Sequence, residues 1–167
     1  YSKKYDGEKQ KIDVLYCKVD EFYTREGDIA KDIDSKYLTQ NGDVIFRLSS
    51  PQVAISISEN SEIPEGVVVS SKFVIIKPRD VDSTFLVELL NSSIARNQIQ
   101  KFSEGRIKQI KKSDVEKLKF EIPSLEEQKK YVETIQLINK EIALQKKLII
   151  ENMNLKEAII QETQGGE

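Results

Sequence analysis

The chain has 167 residues, 38% of them hydrophobic and 32% charged, which fits one ordinary domain plus an appendage. Apolar runs at Val67-Val68-Val69 and Phe73-Val74-Ile75-Ile76 supply a core, which excludes a wholly disordered chain. The net charge of −2 announces no nucleic-acid partner, but Arg96–Lys119 hold eight basic residues against three acidic ones, a local balance of +5.

In chain order, residues 1–37 are polar except for Ile12–Val19, which suits a strand flanked by loops. Asp20–Lys36 is crowded with charge and reads as an exposed loop with at most a helical turn. Asn41-Gly42 marks a turn, because both residues tolerate positive φ. Val44-Ile45-Phe46 then opens a buried strand. Further strands are expected at Val53–Ser58 and Val67–Lys77, with a turn at Pro64-Glu65-Gly66 and a stop at Pro78.

At Asp82-Ser83 the period changes to helical. Either residue suits the cap of a helix Thr84–Asn91, with Phe85, Leu86, Leu89 and Leu90 on one side. Ser92-Ser93 breaks the chain before a second helix, Ile94–Phe102, and Gly105 opens a basic loop. Ser113-Asp114-Val115-Glu116 has capping-box spacing and predicts a short helix. Leu118–Ile122 alternates as a half-buried strand does, and Pro123 stops it.

Ser124-Leu125-Glu126-Glu127 is a second capping box. No proline or glycine follows until Gly165-Gly166, which releases the chain. A helix of roughly 38 residues to about Glu162 would be about 57 Å long. Its apolar residues Val132, Ile135, Ile138, Ile142, Ile149, Met153 and Ile159 recur at spacings of three, four and seven, as a coiled-coil seam does. With Ile135 at position a, the d positions read Ile138, Gln145, Asn152 and Ile159. Gln145 and Asn152 cost stability but fix register, and Leu148 and Leu155 widen the stripe at g. The helix calls for a partner helix; the competing reading folds it back on its own domain. The fold class expected is α+β, a compact mixed domain followed by a long coiled-coil-forming helix. The divisions are 1–123, 124–162 and a disordered tail 163–167.

The chemistry of catalysis is thinly represented. The absence of histidine removes the usual general base and the commonest zinc ligand. Phosphate-loop and dinucleotide fingerprints are absent. Glu126-Glu127 sits where acids favour a helix N-terminus. No cofactor or metal site is expected. A lone cysteine, Cys17, favours a reducing compartment. No apolar run approaches the roughly 20 residues that span a bilayer, and no signal-peptide pattern opens the chain. It starts at Tyr1, so native sequence is expected to precede it, and a cytoplasmic location is expected.

Four segments in order resemble the specificity subunits of type I restriction–modification systems. They are Leu38-x-x-x-Gly42-Asp43-Val44-Ile45-Phe46; Val69–Pro78 with the helix Phe85–Asn91; Gly105–Leu118; and Phe120–Gln128 leading into the long helix. The resemblance covers residues 38–162. It implies a non-catalytic, sequence-specific DNA-binding protein. Such subunits carry two recognition domains, each followed by a long helix, and the two helices pack antiparallel as a spacer. Methyltransferase subunits, and a restriction subunit with them, would dock on the scaffold, bringing S-adenosylmethionine and ATP that this chain does not bind. One domain and one helix are present here, so the chain is either a half-subunit that homodimerises or a fragment. A twofold dimer would read a palindromic, interrupted site.

Candidate DNA-binding residues follow from chemistry, since phosphates take Lys, Arg, hydroxyls and amides, and base edges take Arg, Lys, Asn or Gln. Arg106, Lys108, Gln109, Lys111 and Lys112 form the first cluster. Arg47, Ser49 and Ser50 form a second, and Ser70, Ser71 and Lys72 a third. Tyr23 and Arg25 are weaker candidates. Two other readings stay open: a coiled-coil adaptor whose head binds protein, and a recognition domain of a related single-chain restriction, methylation or phage-defence enzyme.

Overall fold

The computed structural model describes residues 8–18, 21–59, 61–102 and 109–164. Among these, the chain divides into two compact units, one reaching Leu125 and one starting at Glu126. The first mixes strands and helices and the second is a single long helix, the α+β organisation expected.

The head opens with a hairpin of β1 (Lys9–Lys18) and β2 (Glu21–Ala30), paired antiparallel from Lys9↔Ala30 to Lys18↔Glu21. The stretch expected to be a loop from Asp20 is therefore mostly strand. Its periodicity is weak because Phe22 is the only buried residue of β2. Its order comes from the backbone ladder to β1. A 3₁₀ turn, Ser35–Tyr37, follows, capped by the Asp34 carboxylate accepting from the Lys36 amide.

The centre of the head is a three-stranded antiparallel sheet ordered β4 (Ala54–Ser56), β3 (Val44–Arg47), β5 (Phe73–Ile76). Both faces are covered, and the period-2 alternation of strands sorts the side chains. Ile45, Ile55, Phe73 and Ile75 join Leu15 and Phe22 of the hairpin in one core cluster. Val44, Phe46, Ala54, Val74 and Ile76 join Leu90, Ile99 and Ile110 in the other. The expected strand Val67–Lys77 is split. Val68 bridges to Val14 and Leu38, the chain turns at the polar residues Ser70-Ser71-Lys72, and only Phe73–Ile76 enters the sheet. Gly42 (φ +85°) and Gly66 (φ +78°) occupy the two turns marked in the sequence.

Helix α1 (Ser83–Asn91) is capped by Asp82, which accepts from the Phe85 amide at 3.0 Å. Ser92 ends it and caps α2 (Ser93–Gln100). Helix α3 (Lys112–Val115) starts a residue earlier than its expected cap at Ser113. Lys111 is the N-cap, and the Asp114 carboxylate reaches back to its amide at 3.0 Å. No strand forms at Leu118–Ile122. Leu118 and Phe120 do pack inward as the alternation implies, but the partner of this segment is a side chain. Gln98 Oε1 accepts from the Lys119 amide at 3.0 Å, and Gln98 Nε2 donates to its carbonyl at 2.8 Å.

Helix α4 (Leu125–Gln164) has 40 residues, so it is about 60 Å long. Gln128 and Val132 are buried, and every residue from Gln136 to Gln164 is exposed. The Gly165-Gly166 release lies outside the described residues. None of the described helices is long and apolar enough to cross a membrane.

Candidate nucleic-acid interface

The three candidate clusters are far apart in sequence, and their described members meet at one residue. Leu48, just past β3, donates its amide to the Lys72 carbonyl at 3.0 Å and accepts the Ile110 amide on its own carbonyl at 3.0 Å. Ser49 forms an antiparallel bridge with Gln109. The backbone thus brings residues 47–50, 70–72 and 109–112 side by side. Leu48 and Ile110 are buried in the second core cluster, which anchors this junction to the core.

The side chains displayed there are polar and cationic. Gln109, Lys111, Lys112, Lys72, Ser71 and Ser50 are exposed, and Ser49, Ser70 and Arg47 are half-buried. Arg47 Nε donates to Ser49 Oγ at 2.9 Å, and Arg47 Nη1 donates to Cys17 Sγ at 3.5 Å, tying the hairpin to the junction. A hydrogen-bonded guanidinium on a strand end is restricted in its rotamers, which suits directional recognition. Arg106 and Lys108 lie outside the described residues.

Beside this junction, Asp114 fastens α3. The Lys111 backbone amide, and then the Lys117 ammonium at 3.0 Å, hold its carboxyl below the ordinary value of 3.8. Lys117 also lies over the Phe102 ring at 5.6 Å. Lys117 is thereby committed to local contacts, while Lys111 and Lys112 are exposed.

Among the described residues no group of three His, Cys, Asp or Glu could hold a metal. The sequence does not announce the contact of Cys17 with Arg47 or the stacking of Tyr16 on Tyr23. With β2 taken as a loop, the cross-strand partners of β1 were invisible.

On the long helix, Ile138, Ile142, Gln145, Leu148, Ile149, Asn152, Met153, Leu155 and Ile159 are all exposed, Ile135 is half-buried, and Val132 is buried. Leu137, Leu144, Ile150 and Ile160 broaden the apolar surface beyond the expected stripe. A solvated single helix gains nothing from such residues, so the arrangement is consistent with a coiled coil.

A family model for the type I restriction modification DNA specificity domain matches residues 2–152. The match begins well upstream of Leu38 and takes in the hairpin, which the sequence resemblance had left aside. No curated protein matches the chain. The family is non-catalytic and implies DNA and the modification and restriction subunits as partners. With most of its length matched, the chain belongs to the type I restriction modification DNA specificity domain family.

Proposed function

We propose that this chain is one DNA-reading half of a specificity subunit, and that it pairs through α4 with a second copy to address a bipartite site. In this reading residues 1–123 recognise the target, 124–162 set the spacing, and 163–167 are a tail. Methyltransferase subunits, joined by a restriction subunit, act at the site from the cytoplasm and supply S-adenosylmethionine and ATP. The observation that carries the reading is the junction at Leu48, where segments 47–50, 70–72 and 109–112 converge. Arg47 and Gln109 supply base-reading chemistry, with Arg106 and Lys108 just before Gln109 in the sequence. Ser49, Ser50, Ser70, Ser71, Lys72, Lys111 and Lys112 supply phosphate contacts. The exposed apolar stripe of α4 supports pairing.

The test assembles the full chain with its modification subunit and maps the methylated sequence. Affinity is then compared for that duplex and a scrambled one at several salt concentrations. The expected result is tight binding to the cognate site and salt-sensitive, weaker binding to the other. Equal affinity for both duplexes overturns the reading.

A further inference from the structure

The two faces of the β1–β2 hairpin differ in kind. Directly paired residues of an antiparallel ribbon share a face, and successive residues alternate. Leu15 with Thr24, and Cys17 with Phe22, fall on the face that joins the first core cluster. Tyr16 with Tyr23, and Val14 with Arg25, fall on the other. There the Tyr16 and Tyr23 rings stack with centroids 5.7 Å apart and planes 17° from parallel, and the Arg25 guanidinium lies 5.2 Å from the Tyr23 centroid. Tyr16 is 41% exposed, and Arg25 is exposed. Among the described residues no carboxylate pairs with Arg25.

Charge is sorted between the faces. Asp13 opposite Glu26, and Asp28 opposite Lys11, lie on the core-side face, where Lys11 and Glu26 form an ion pair at 3.0 Å. On the aromatic face Lys18 lies opposite Glu21, and Gly27 beyond Arg25 adds no side chain. Arg25 is flanked on this face by the Tyr16–Tyr23 pair, with Glu21 one rung beyond the tyrosines. A guanidinium donates only, and a phenol O–H can donate. Phosphate oxygens only accept, so a donor-only guanidinium suits them. A guanidinium stacked on a ring keeps its in-plane N–H groups free for a bidentate contact. The ladder also adjoins the candidate interface, because the next rung, Cys17 with Phe22, is the one that meets Arg47.

We infer that Arg25, propped by Tyr23 and Tyr16, grips a backbone phosphate of the same duplex that the Leu48 junction reads. The inference rests on the DNA reading above and adds a contact outside its three clusters.

The test uses the full chain assembled with its modification subunit, with cognate and scrambled duplexes titrated across a salt series. Arg25→Ala lowers affinity for both duplexes by the same factor, several-fold, and reduces the slope of log affinity against log salt by about 1. Arg25→Lys restores the slope. Tyr23→Leu weakens binding but keeps the slope, because the charge remains while its support is lost. Far-UV circular dichroism checks that each variant is folded. If the parent complex prefers its cognate site while Arg25→Ala changes neither affinity nor slope, the inference falls and the DNA reading stands. If Arg25→Ala relaxes preference at one base pair with the slope unchanged, Arg25 reads a base and the phosphate contact is overturned. If the parent complex shows no preference, the DNA reading and this inference fall together.

Discussion

Gln98 holds Lys119 by both of its backbone groups, accepting from the amide at 3.0 Å and donating to the carbonyl at 2.8 Å. A side-chain amide here does the work of a neighbouring strand. It ties the segment that leads into the long helix to α2. The pair is exposed, so water replaces part of what is lost when it breaks. Gln98→Ala is expected to cost about 1 kcal/mol, or about 2–4 °C in melting temperature. Gln98→Glu removes the donor and is expected to recover little. Urea titrations of the three proteins check this.

Asn91 makes the same two-bond contact with Ala54, at 2.8 and 3.0 Å, on the edge strand β4. This site is half-buried, and the backbone groups left behind have poorer access to water. Asn91→Ala is expected to cost about 1–3 kcal/mol, more than Gln98→Ala. Asn91→Asp loses the donor to the Ala54 carbonyl and brings a charge beside it, and is expected to be at least as costly. The same titrations rank the variants, and an exposed-type loss at Asn91 would contradict the argument.

The elements legible in the sequence are those whose determinants are local. Gly42 marks its turn by tolerating positive φ, Asp82 marks the start of α1 by its carboxylate, and the long helix follows from a stretch without proline or glycine. Strand β2 is hidden because only Phe22 is buried, and the ladder that orders it leaves no mark on composition. Leu118–Ile122 alternates like a strand, yet its backbone partner is Gln98, which no periodicity announces. The candidate site divides in the same way. Its residue types are visible as three separate polar or basic clusters. Their meeting is not, because it runs through the backbone of Leu48, an apolar residue whose side chain faces the core.

Asp114 gives a pH test. Its carboxyl is held below the ordinary value by the Lys111 amide and then by Lys117. A group whose folded value is depressed contributes stability above its unfolded value, and that contribution is lost as pH falls toward the folded value. The contribution should therefore be complete above the ordinary value of 3.8 and decline below it. Urea midpoints compared from neutral pH down to pH ~3 should converge for wild type and Asp114→Asn at the acid end. A gap that stays constant would place the effect of the substitution elsewhere.

At the Leu48 junction, Gln109 and Lys111 are two residues apart and are assigned different tasks. Gln109→Ala is expected to cost about 1–3 kcal/mol on the cognate duplex and to relax preference at one position. Lys111→Ala is expected to weaken binding to cognate and scrambled duplexes alike and to reduce the salt slope by about 1. Binding isotherms on both duplexes separate the two outcomes. Identical behaviour of the variants would remove the distinction between reading and positioning.

The stripe on α4 makes a prediction about assembly that needs no DNA. Ile138, Ile142, Ile149 and Ile159 are exposed in a single chain, and burying a side chain of this size between helices is worth roughly 1.5–3 kcal/mol. Ile142→Glu places a charge in the seam and is expected to leave the head folded while shifting the solution mass toward monomer. Light scattering against concentration measures the shift. In the proposed pairing Gln145 and Asn152 are seam residues that cost stability, so replacing both with isoleucine should tighten association and raise the melting temperature. It should also loosen control of register and oligomer state, because polar seam residues are what reject misaligned pairings. A wild-type chain that stays monomeric at high concentration would mean that the stripe serves a different helix, and the twofold pairing would have to be abandoned.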